Sequence, residues 1–500
     1  MKQPAKRRAS PDHTNQSIIV RAVEESIEDL SGASQTSANS PLGPNDAKIK
    51  AYTHTVCDQI RCKKVHDGIS TEIEGHINDQ KEAYKAQGME EEMATVKAIE
   101  QMGDPVAVGT ALDRTHQPKP EWSMIILTSL LLCAGILLRF FTSPQSIDGI
   151  ENYNRQLLFT GVGIGVMVFC YYLDFTLLGK YPRLIFFLLA GLAPLILLLS
   201  SPMHGQYTYL TYLILLFPTA FAGIVYSMRN KGYWGIVLCG FYFCIPLTIA
   251  FIASSWTGII LFSLSGLLIL RTAILKNWFA VKKLYAILLI YLPAVAGSLV
   301  ILVASSERIW RRVEMALDPS LDPLGAGYMG TIIRKLIEGA RFTGQGALPK
   351  MSEGLSASQI LPSINNDFLL TYSIHRYGWL VFIIVIALLA GFILRGLLLC
   401  AKQKSVLASL VSLAVILTIG IQTLFYVVLN LGFTLLSPFS LPFISQSSSF
   451  LLINMCLAGI LLSVFKTGYF IKDETKHKKE VSNSFIKFED GKLTIDFRAH

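Results

Sequence analysis

The sequence predicts an all-α, polytopic membrane protein with about ten transmembrane helices, one long outer loop between helices 7 and 8, and a small N-terminal cytosolic helical bundle. Of its 500 residues, 52% are hydrophobic and 16% are charged, a balance that would leave large apolar patches on a soluble protein. The apolar residues are concentrated between residues 122 and 467. Lysine and arginine favour alternate loops between the apolar stretches, as in multi-pass membrane proteins. An ordinary soluble enzyme is therefore excluded.

Residues 1–46 are rich in Ser, Thr, Asn, Gln and Pro and have no sustained apolar periodicity. Such a segment buries too little apolar surface to offset the entropy lost on ordering. We therefore expect a disordered cytosolic arm.

Residues 47–118 predict a small cytosolic module of about three helices. Gly88 is placed to end the first helix, and Asp104 followed by Pro105 is a typical helix start. The segment 98–113 resembles small helical modules that precede permease-like proteins, which leaves open a docking or regulatory role and a purely stabilising one. Apolar residues recur at helical spacing in the first half, at Val56, Ile60, Ile69, Ile73 and Ile77.

Residues 122–467 form the predicted membrane domain, in which most apolar stretches approach the ~20 residues that a bilayer crossing requires. The sixth stretch is short, which is compatible with a tilted or partly re-entrant helix. The ten stretches are 123–141, 157–173, 184–200, 210–228, 233–253, 256–270, 284–305, 368–394, 406–436 and 447–465.

The loop charges predict the orientation of the chain. With the N-terminus in the cytosol, the inner loops hold eleven lysines and arginines, whereas the short outer loops hold one, Arg155. Positive residues favour the cytosolic side. The long loop 306–367 is then outside, and the tail 468–500 returns to the cytosol. The chain has more basic than acidic residues, with a net charge of +9. This excess of positive charge indicates membrane orientation and gives no reason to expect a nucleic-acid partner.

The outer loop is the predicted working surface, because about sixty residues are more than a connection between two spans needs. Asp367 lies where this polar loop passes into the eighth apolar stretch. One interpretation is that Asp367 caps that helix. The other is that its carboxylate is a general base acting on a lipid-anchored substrate.

Four arginines of the same loop are candidate contacts to substrate phosphates. The alternative for each is a solvated face or attachment to anionic lipid headgroups. A divalent cation could instead balance charge on a leaving phosphate, but no ligand set for a metal stands out and the cofactor stays undetermined. The four are Arg308, Arg311, Arg312 and Arg341.

Two runs of residues resemble the signatures of the shape, elongation, division and sporulation (SEDS) family, to which FtsW, RodA and SpoVE belong. The second run ends in Leu-Pro-Phe-Ile-Ser at 441–445, which is similar to the family's Leu-Pro-Phe loop. The first run comprises Arg312, 317–319, Gly327-Tyr328, Gly344-Gln345-Gly346, Asn366-Asp367-Phe368 and Tyr377-Gly378, and the second comprises Gln422, Asn430-Leu431-Gly432, Pro438 and 441–449.

The resemblance implies a peptidoglycan glycosyltransferase of the bacterial cell membrane that serves cell elongation or division. Its substrate would be an undecaprenyl-pyrophosphate-linked disaccharide-pentapeptide, and its partner a class B penicillin-binding transpeptidase. Asp367 matches the family's essential aspartate. Gln345, Asn430 and Ser445 lie in the signatures and are expected to contact substrate together with the arginines.

The fourth span departs from the family pattern. Family members show Gln-Pro-Ser-Glu-x-x-Lys there, whereas residues 217–223 lack both charged residues. A non-catalytic scaffold or regulator of cell-wall synthesis is therefore a second hypothesis. Transport of the lipid-linked precursor is a third, which the scarcity of charged residues within the spans makes less attractive.

Overall fold

The computed structural model of the protein describes most of the chain between residues 44 and 468 and two short strands beyond it. The predicted arm lies outside the described residues except for its last three. The described ranges are 44–61, 63, 66–116, 120–142, 147–201, 206–304, 306–348, 357–436, 439–445, 447–468, 486–489 and 492–495.

The N-terminal module is a bundle of four helices, one more than the sequence suggested. They are α1 (Pro44–Asp58), α2 (His66–Ala86), α3 (Glu91–Met102) and α4 (Pro105–His116). As predicted, the Asp104 carboxylate caps α4, accepting a hydrogen bond from the Ala107 amide at 2.9 Å. The bundle has an apolar core of its own, formed by Ile49, Tyr52, Val56, Ile60, Ile69, Ile73, Ile77, Ala98 and Ile99.

Within the described residues, ten helical segments are long and apolar enough to cross a membrane, as the sequence predicts. The protein is thus a multi-pass membrane protein with a helical fold. The helices of spans 1 to 5 are α5 (Trp122–Thr142), α6 (Ile147–Tyr172), α8 (Pro182–Leu199), the pair α9 (Thr208–Ile214) and α10 (Phe217–Ser227), and α11 (Gly232–Ile252); a single turn, α7 (Leu177–Lys180), precedes span 3. Spans 6 and 7 are α12 (Trp256–Leu275) and α13 (Lys283–Ala304).

The sixth span has 20 residues, so it is long enough to cross the bilayer without re-entering. The fourth span is instead interrupted in its middle, at Leu215 and Leu216, just before Pro218. Proline has no N–H to continue the helical ladder, which explains the break.

The described part of the long loop, which the sequence predicts to be the outer loop, contains three short helices and a turn of 3₁₀ helix, and then the helix that leads into span 8. In order they are α14 (Ser306–Leu317), the 3₁₀ turn Pro319–Leu321, α15 (Tyr328–Glu338), α16 (Ala357–Ile360) and α17 (Leu369–Tyr377). Spans 8, 9 and 10 follow as α18 (Trp379–Ala401), α19 (Val406–Asn430) and α20 (Ser448–Thr467).

The eighth span begins at Trp379, about ten residues later than the sequence predicted. Residues 369–377 form the separate helix α17, and Gly378 turns the chain with φ at +96°. The loop after α15 packs against this corner through its backbone: the Gly346 amide donates to the His375 carbonyl at 2.7 Å, and the Leu380 amide donates to the Phe342 carbonyl at 3.1 Å. Gly344-Gln345-Gly346 therefore shapes the corner.

Beyond the membrane domain, the described part of the tail is a hairpin of two antiparallel strands. β1 (Ile486–Glu489) pairs with β2 (Lys492–Ile495), with Ile486 opposite Ile495. These are the only strands within the described residues.

Candidate functional site

The carboxylate of Asp367 does not cap a helix, so the first interpretation of this residue is wrong. Helix α17 begins at Leu369 with Phe368 at its N-cap and no side-chain capping bond. Asp367 lies in the preceding turn, where its amide donates to the Ser363 carbonyl at 3.0 Å. Its side chain is thus free for another role.

The outer end of span 9 holds the backbone around Asp367. The buried Asn430 donates from Nδ2 to the Asp367 carbonyl at 2.9 Å, and its Oδ1 accepts from the Thr371 amide at 3.0 Å. The Tyr426 hydroxyl donates to the Asn366 carbonyl at 2.7 Å and accepts from the Leu369 amide at 3.2 Å. Two side chains of one helix therefore fix the chain on both sides of Asp367.

The loop before span 10 holds the same segment from another side. The Ser445 hydroxyl donates to the Asn366 carbonyl at 3.2 Å and accepts from the Leu441 amide at 2.8 Å. Ser440 donates to the Asn366 side-chain oxygen at 2.8 Å. Ser445 and Asn430, predicted to contact substrate, are thus bound to the Asp367 turn.

Arg139, at the outer end of span 1, joins these two loops. Its side chain is buried, with Nη2 donating to the Asn365 carbonyl at 2.7 Å and Nε to the Ile444 carbonyl at 3.3 Å. Arg139 is not among the site residues predicted from the sequence. The feature that could have identified it is its position inside an apolar stretch, where an arginine side chain needs polar partners.

The Asp367 carboxylate itself forms no hydrogen bond or ion pair with any residue that the structure describes. It is half-buried, and burial raises its pKa from the ordinary 3.8 to about 6. The reason is that a low-dielectric environment disfavours the ionised form. The hydroxyls of Tyr212 and Tyr426 lie near enough to interact with its charge. This is a carboxyl group that exchanges a proton near neutral pH.

Residues 361–366, directly before Asp367, line a polar cavity of about 870 Å³, whereas Asp367 itself is not among the lining residues. Its walls come from the start of span 2, the outer half of span 4, the loop before α17 and the start of span 10. Among the residues that line it, Arg155 is the one cation, and the neighbouring Gln156 is buried with no partner for its side-chain oxygen. The other residues are Thr208, Tyr209, Tyr212, Ser358, Gln359, 361–366 and 447–449.

Three of the four arginines predicted from the long loop, Arg311, Arg312 and Arg341, do not line this cavity. Arg311 pairs with Glu307 at 3.1 Å on an exposed face of α14, and Arg312 and Arg341 are exposed. Arg308 belongs to the same helix, but its side chain lies outside the described residues. Their contact with substrate stays a prediction.

Gln345 also lies away from the cavity wall. Its side-chain oxygen accepts a hydrogen bond from Arg376, next to the Gly378 corner. The sequence prediction that Gln345 contacts substrate is not tested by this placement.

The fourth span has no room for the charged residues that the family pattern places there. All nine residues from Phe217 to Val225 are buried. Ala220 and Gly223 occupy the positions of the family's Glu and Lys, and a Cβ atom at Gly223 would contact the Leu178 carbonyl. The missing charges are therefore replaced by tight apolar packing.

The described residues contain no group of three or more His, Cys, Asp or Glu side chains that could hold a metal ion. The cavity lining contains no carboxylate, so apart from the adjacent Asp367 its side-chain oxygens are those of amides and hydroxyls. Divalent cations such as Mg²⁺ are usually bound through more than one carboxylate or through substrate phosphates. We therefore derive no step through a cation.

Comparison with known proteins gives relatives across the whole membrane domain. Stage V sporulation protein E of Bacillus subtilis (strain 168) is 22% identical over 373 residues, which cover 70% of this chain and 98% of that protein. Peptidoglycan glycosyltransferase MrdB of Escherichia coli (strain K12) is 27% identical over 154 residues, or 31% of this chain and 41% of that protein. A probable peptidoglycan glycosyltransferase FtsW of Geobacter sp. (strain M18) is 24% identical over 200 residues, or 40% and 53%. The chain thus spans only about half the length of the latter two.

A similar fold is found in a solved structure described as "Structural coordination of polymerization and crosslinking by a peptidoglycan synthase complex". The TM-score is 0.55 at 15% identity, over 70% of this chain and 98% of that one. At this identity the likeness shows the fold alone. The profile of the FtsW/RodA/SpoVE family, described as cell cycle proteins, matches residues 121–469. Because this match includes all ten spans and the outer loop, the chain belongs to the FtsW/RodA/SpoVE family of cell cycle proteins.

Proposed function

We propose that this protein is a peptidoglycan glycosyltransferase that polymerises an undecaprenyl-pyrophosphate-linked disaccharide-pentapeptide at the outer face of the bacterial cell membrane. The observation that carries the proposal is the Asp367 carboxylate, which is half-buried and unpaired among the described residues. The turn that directly precedes it, residues 361–366, lines the polar cavity to which Arg155 also contributes. The names of the MrdB and FtsW relatives support the same activity.

In this proposal, Asp367 removes the proton of an acceptor sugar hydroxyl. The oxygen then forms a bond to the anomeric carbon of the donor, while the bond from that carbon to the lipid pyrophosphate breaks. The proton is left on Asp367, and the electron pair leaves with the pyrophosphate. A raised pKa suits this role, because a general base works best when its pKa is close to the working pH.

Arg155 is the lining residue whose charge complements the departing pyrophosphate. A guanidinium group forms strong, often bidentate hydrogen bonds with phosphate oxygens. Fixed charge aimed at a developing anion stabilises the transition state more than the ground state. We assign the leaving group to the part of the cavity wall at the start of span 2.

The experiment is polymerisation of purified, fluorescent lipid-linked precursor by the protein in liposomes. Wild type is expected to form glycan, Asp367→Asn to lose roughly 10² to 10⁴ in rate, and Arg155→Gln to lose rate to a lesser degree. Arg114→Gln is the matched control, since Arg114 is exposed on α4 of the N-terminal module, which contributes no residue to the cavity lining. Equal rates for wild type and Asp367→Asn would remove Asp367 as the base.

A second candidate, a non-catalytic scaffold, is favoured by one observation. Ala220 and Gly223 stand where the family pattern has Glu and Lys, and the packing there leaves no space for either. The absence of glycan from wild type, with precursor still bound, would support the scaffold and refute the enzyme.

For the partner, we propose a class B penicillin-binding transpeptidase that cross-links the new strand. The related fold described as part of a peptidoglycan synthase complex supports this choice. We also propose that both termini are cytosolic, since the loop charges favour that orientation. Protease access to tags at either end in sealed vesicles tests the orientation.

A further inference from the structure

The first helix of the outer loop, α14 (Ser306–Leu317), has two chemically different faces. Successive residues are about 100° apart around an α-helix, which separates its side chains into an apolar and a charged side. The apolar side consists of Ile309, Trp310, Val313, Ala316 and Leu317, and the opposite side carries Glu307, Arg311, Arg312 and Glu314 together with Met315.

The protein covers part of the apolar side: Ala316 is buried and Ile309 and Val313 are half-buried. Arg334 of α15 donates to the Ala316 carbonyl at 2.6 Å and to the Leu317 carbonyl at 2.8 Å, which ties down the last turn. The side chains of Trp310 and Leu317 remain 58% and 63% exposed. An amphipathic helix is stable when its apolar face is covered, so this face requires an occupant.

The position of α14 indicates which occupant it is. Span 7 ends at Ala304, and its 22 residues are about 33 Å long, which is enough to cross the ~30 Å hydrocarbon layer. Only 6% of the apolar segment of span 7 is buried inside the protein, so most of this span faces lipid. Helix α14 begins two residues later, and it therefore starts at the boundary between lipid and water.

The side chains of α14 suit that boundary. Tryptophan is enriched at the level of the lipid headgroups, where its ring has both an apolar and a polar neighbourhood. Arg312 lies at the edge of the apolar side, is exposed, and forms no ion pair with the described residues. Its aliphatic stem can cover apolar surface while the guanidinium reaches a phosphate.

We propose that α14 is an interfacial helix, with Trp310 and Leu317 among the acyl chains of the outer leaflet and Arg312 on the phosphates of anionic lipids. This site is separate from the polar cavity and does not depend on the proposed glycosyltransferase activity. It anchors one end of the outer loop to the membrane surface.

The test uses the fluorescence of Trp310 in the full-length protein in liposomes that contain phosphatidylcholine and phosphatidylglycerol. The contribution of Trp310 is the difference between wild type and Trp310→Phe, a change that leaves the core intact because the side chain is mostly exposed. Quenching is measured with acyl-brominated lipid and with aqueous iodide. In the control, Trp310→Phe/Arg311→Trp, the reporter is moved about 100° around the helix, onto the charged side.

We expect brominated lipid to quench Trp310 several times more strongly than the reporter at position 311, and iodide to show the reverse order. In the Arg312→Gln variant, iodide quenching of Trp310 should rise about twofold in liposomes with phosphatidylglycerol and stay unchanged in pure phosphatidylcholine. Equal iodide quenching at positions 310 and 311 would overturn the interfacial helix and leave its apolar face to a protein partner. An equal rise in both kinds of liposome would overturn the role of anionic lipid.

Discussion

At the scale of single residues, Asp367 combines a chemical role with a cost to folding. Its carboxyl group has a pKa of about 6 in the folded protein against an ordinary 3.8. The folded state therefore holds the proton more tightly than the unfolded chain does. By linkage, the contribution of this group to stability falls as the pH rises from about 4 to about 6 and remains low above that.

We predict that Asp367→Asn makes the protein more stable at pH 7 while it abolishes glycan synthesis. A tenfold change in an ionisation constant is worth about 1.4 kcal/mol, so a pKa shift from 3.8 to about 6 corresponds to a gain of about 3 kcal/mol. Thermal unfolding in detergent at pH 7 and at pH 4.5 measures it. The difference between the variant and wild type should shrink at pH 4.5, and a variant that is less stable than wild type at pH 7 would contradict the assignment of burial as the cause.

The same group sets the expected pH dependence of the reaction. A general base must be ionised, so the initial rate should be half-maximal near pH 6 and fall about tenfold per pH unit below that. Rates measured in liposomes between pH 4.5 and 8 test this. A half-maximal rate near pH 4 would mean that Asp367 is solvated during the reaction or that another group is the base.

Asp367 could be selected from the sequence, but the residues that hold it could not. Asp367 stands at a change from polar to apolar sequence and within a family signature. Arg139 donates hydrogen bonds to carbonyl groups that are 226 and 305 positions away in the chain. Only the packed fold brings such groups together, and no local pattern records the contact. Arg155 was noted for its charge alone, since nothing in its neighbourhood indicates a cavity.

At the scale of elements, the corner at Gly378 decides where span 8 begins. A hydropathy plot does not separate α17 from span 8, because both segments are apolar. The boundary between them is a turn of the backbone, which hydropathy does not detect. The left-handed φ of Gly378 is unfavourable for residues with a Cβ atom. The carbonyl of Phe342 also occupies the space that a Cβ atom would need.

We predict that Gly378→Ala destabilises the outer loop by about 2 kcal/mol or more, from both backbone strain and overlap. Gly344→Ala is the matched control: its φ is +83°, but nothing lies within 4 Å of the added Cβ atom. It should cost about 1 kcal/mol from strain alone. Limited proteolysis of the outer loop measures both variants, and equal cleavage rates would show that the contact with Phe342 is unimportant.

At the scale of the whole molecule, the ten spans followed from hydropathy and charge because the bilayer imposes the same length on every crossing. The order of packing between the spans did not follow, because lipid-facing and protein-facing positions are both apolar. Similarly, the count of helices in the N-terminal module was too low. Ile60 and Ile69 are nine residues apart, whereas the other apolar residues of this run are four apart, and α1 ends and α2 begins around that gap.

We predict that residues 44–116 fold on their own, because their core contains residues of the module alone. The isolated segment should be helical and unfold cooperatively when followed by circular dichroism. Tyr52 is fully buried and donates to the Gly103 carbonyl at 3.1 Å. Tyr52→Ala should therefore cost about 3 to 5 kcal/mol and unfold the module. Exposed Thr110→Ala is the control, and an unfolded wild-type segment would show that the module needs the membrane domain.

The interruption of span 4 has a consequence for the cavity. Span 4 is the most buried of the ten spans: 72% of its apolar segment lies inside the protein. The interruption of its helix is therefore shielded from lipid. Its outer piece carries Tyr209 and Tyr212 into the cavity wall, whereas its inner piece is immobilised in the core. The outer piece is packed as well, since Leu210, Leu213 and Ile214 are buried. The break therefore lets one span direct its tyrosines to the cavity wall while both of its pieces stay anchored in protein.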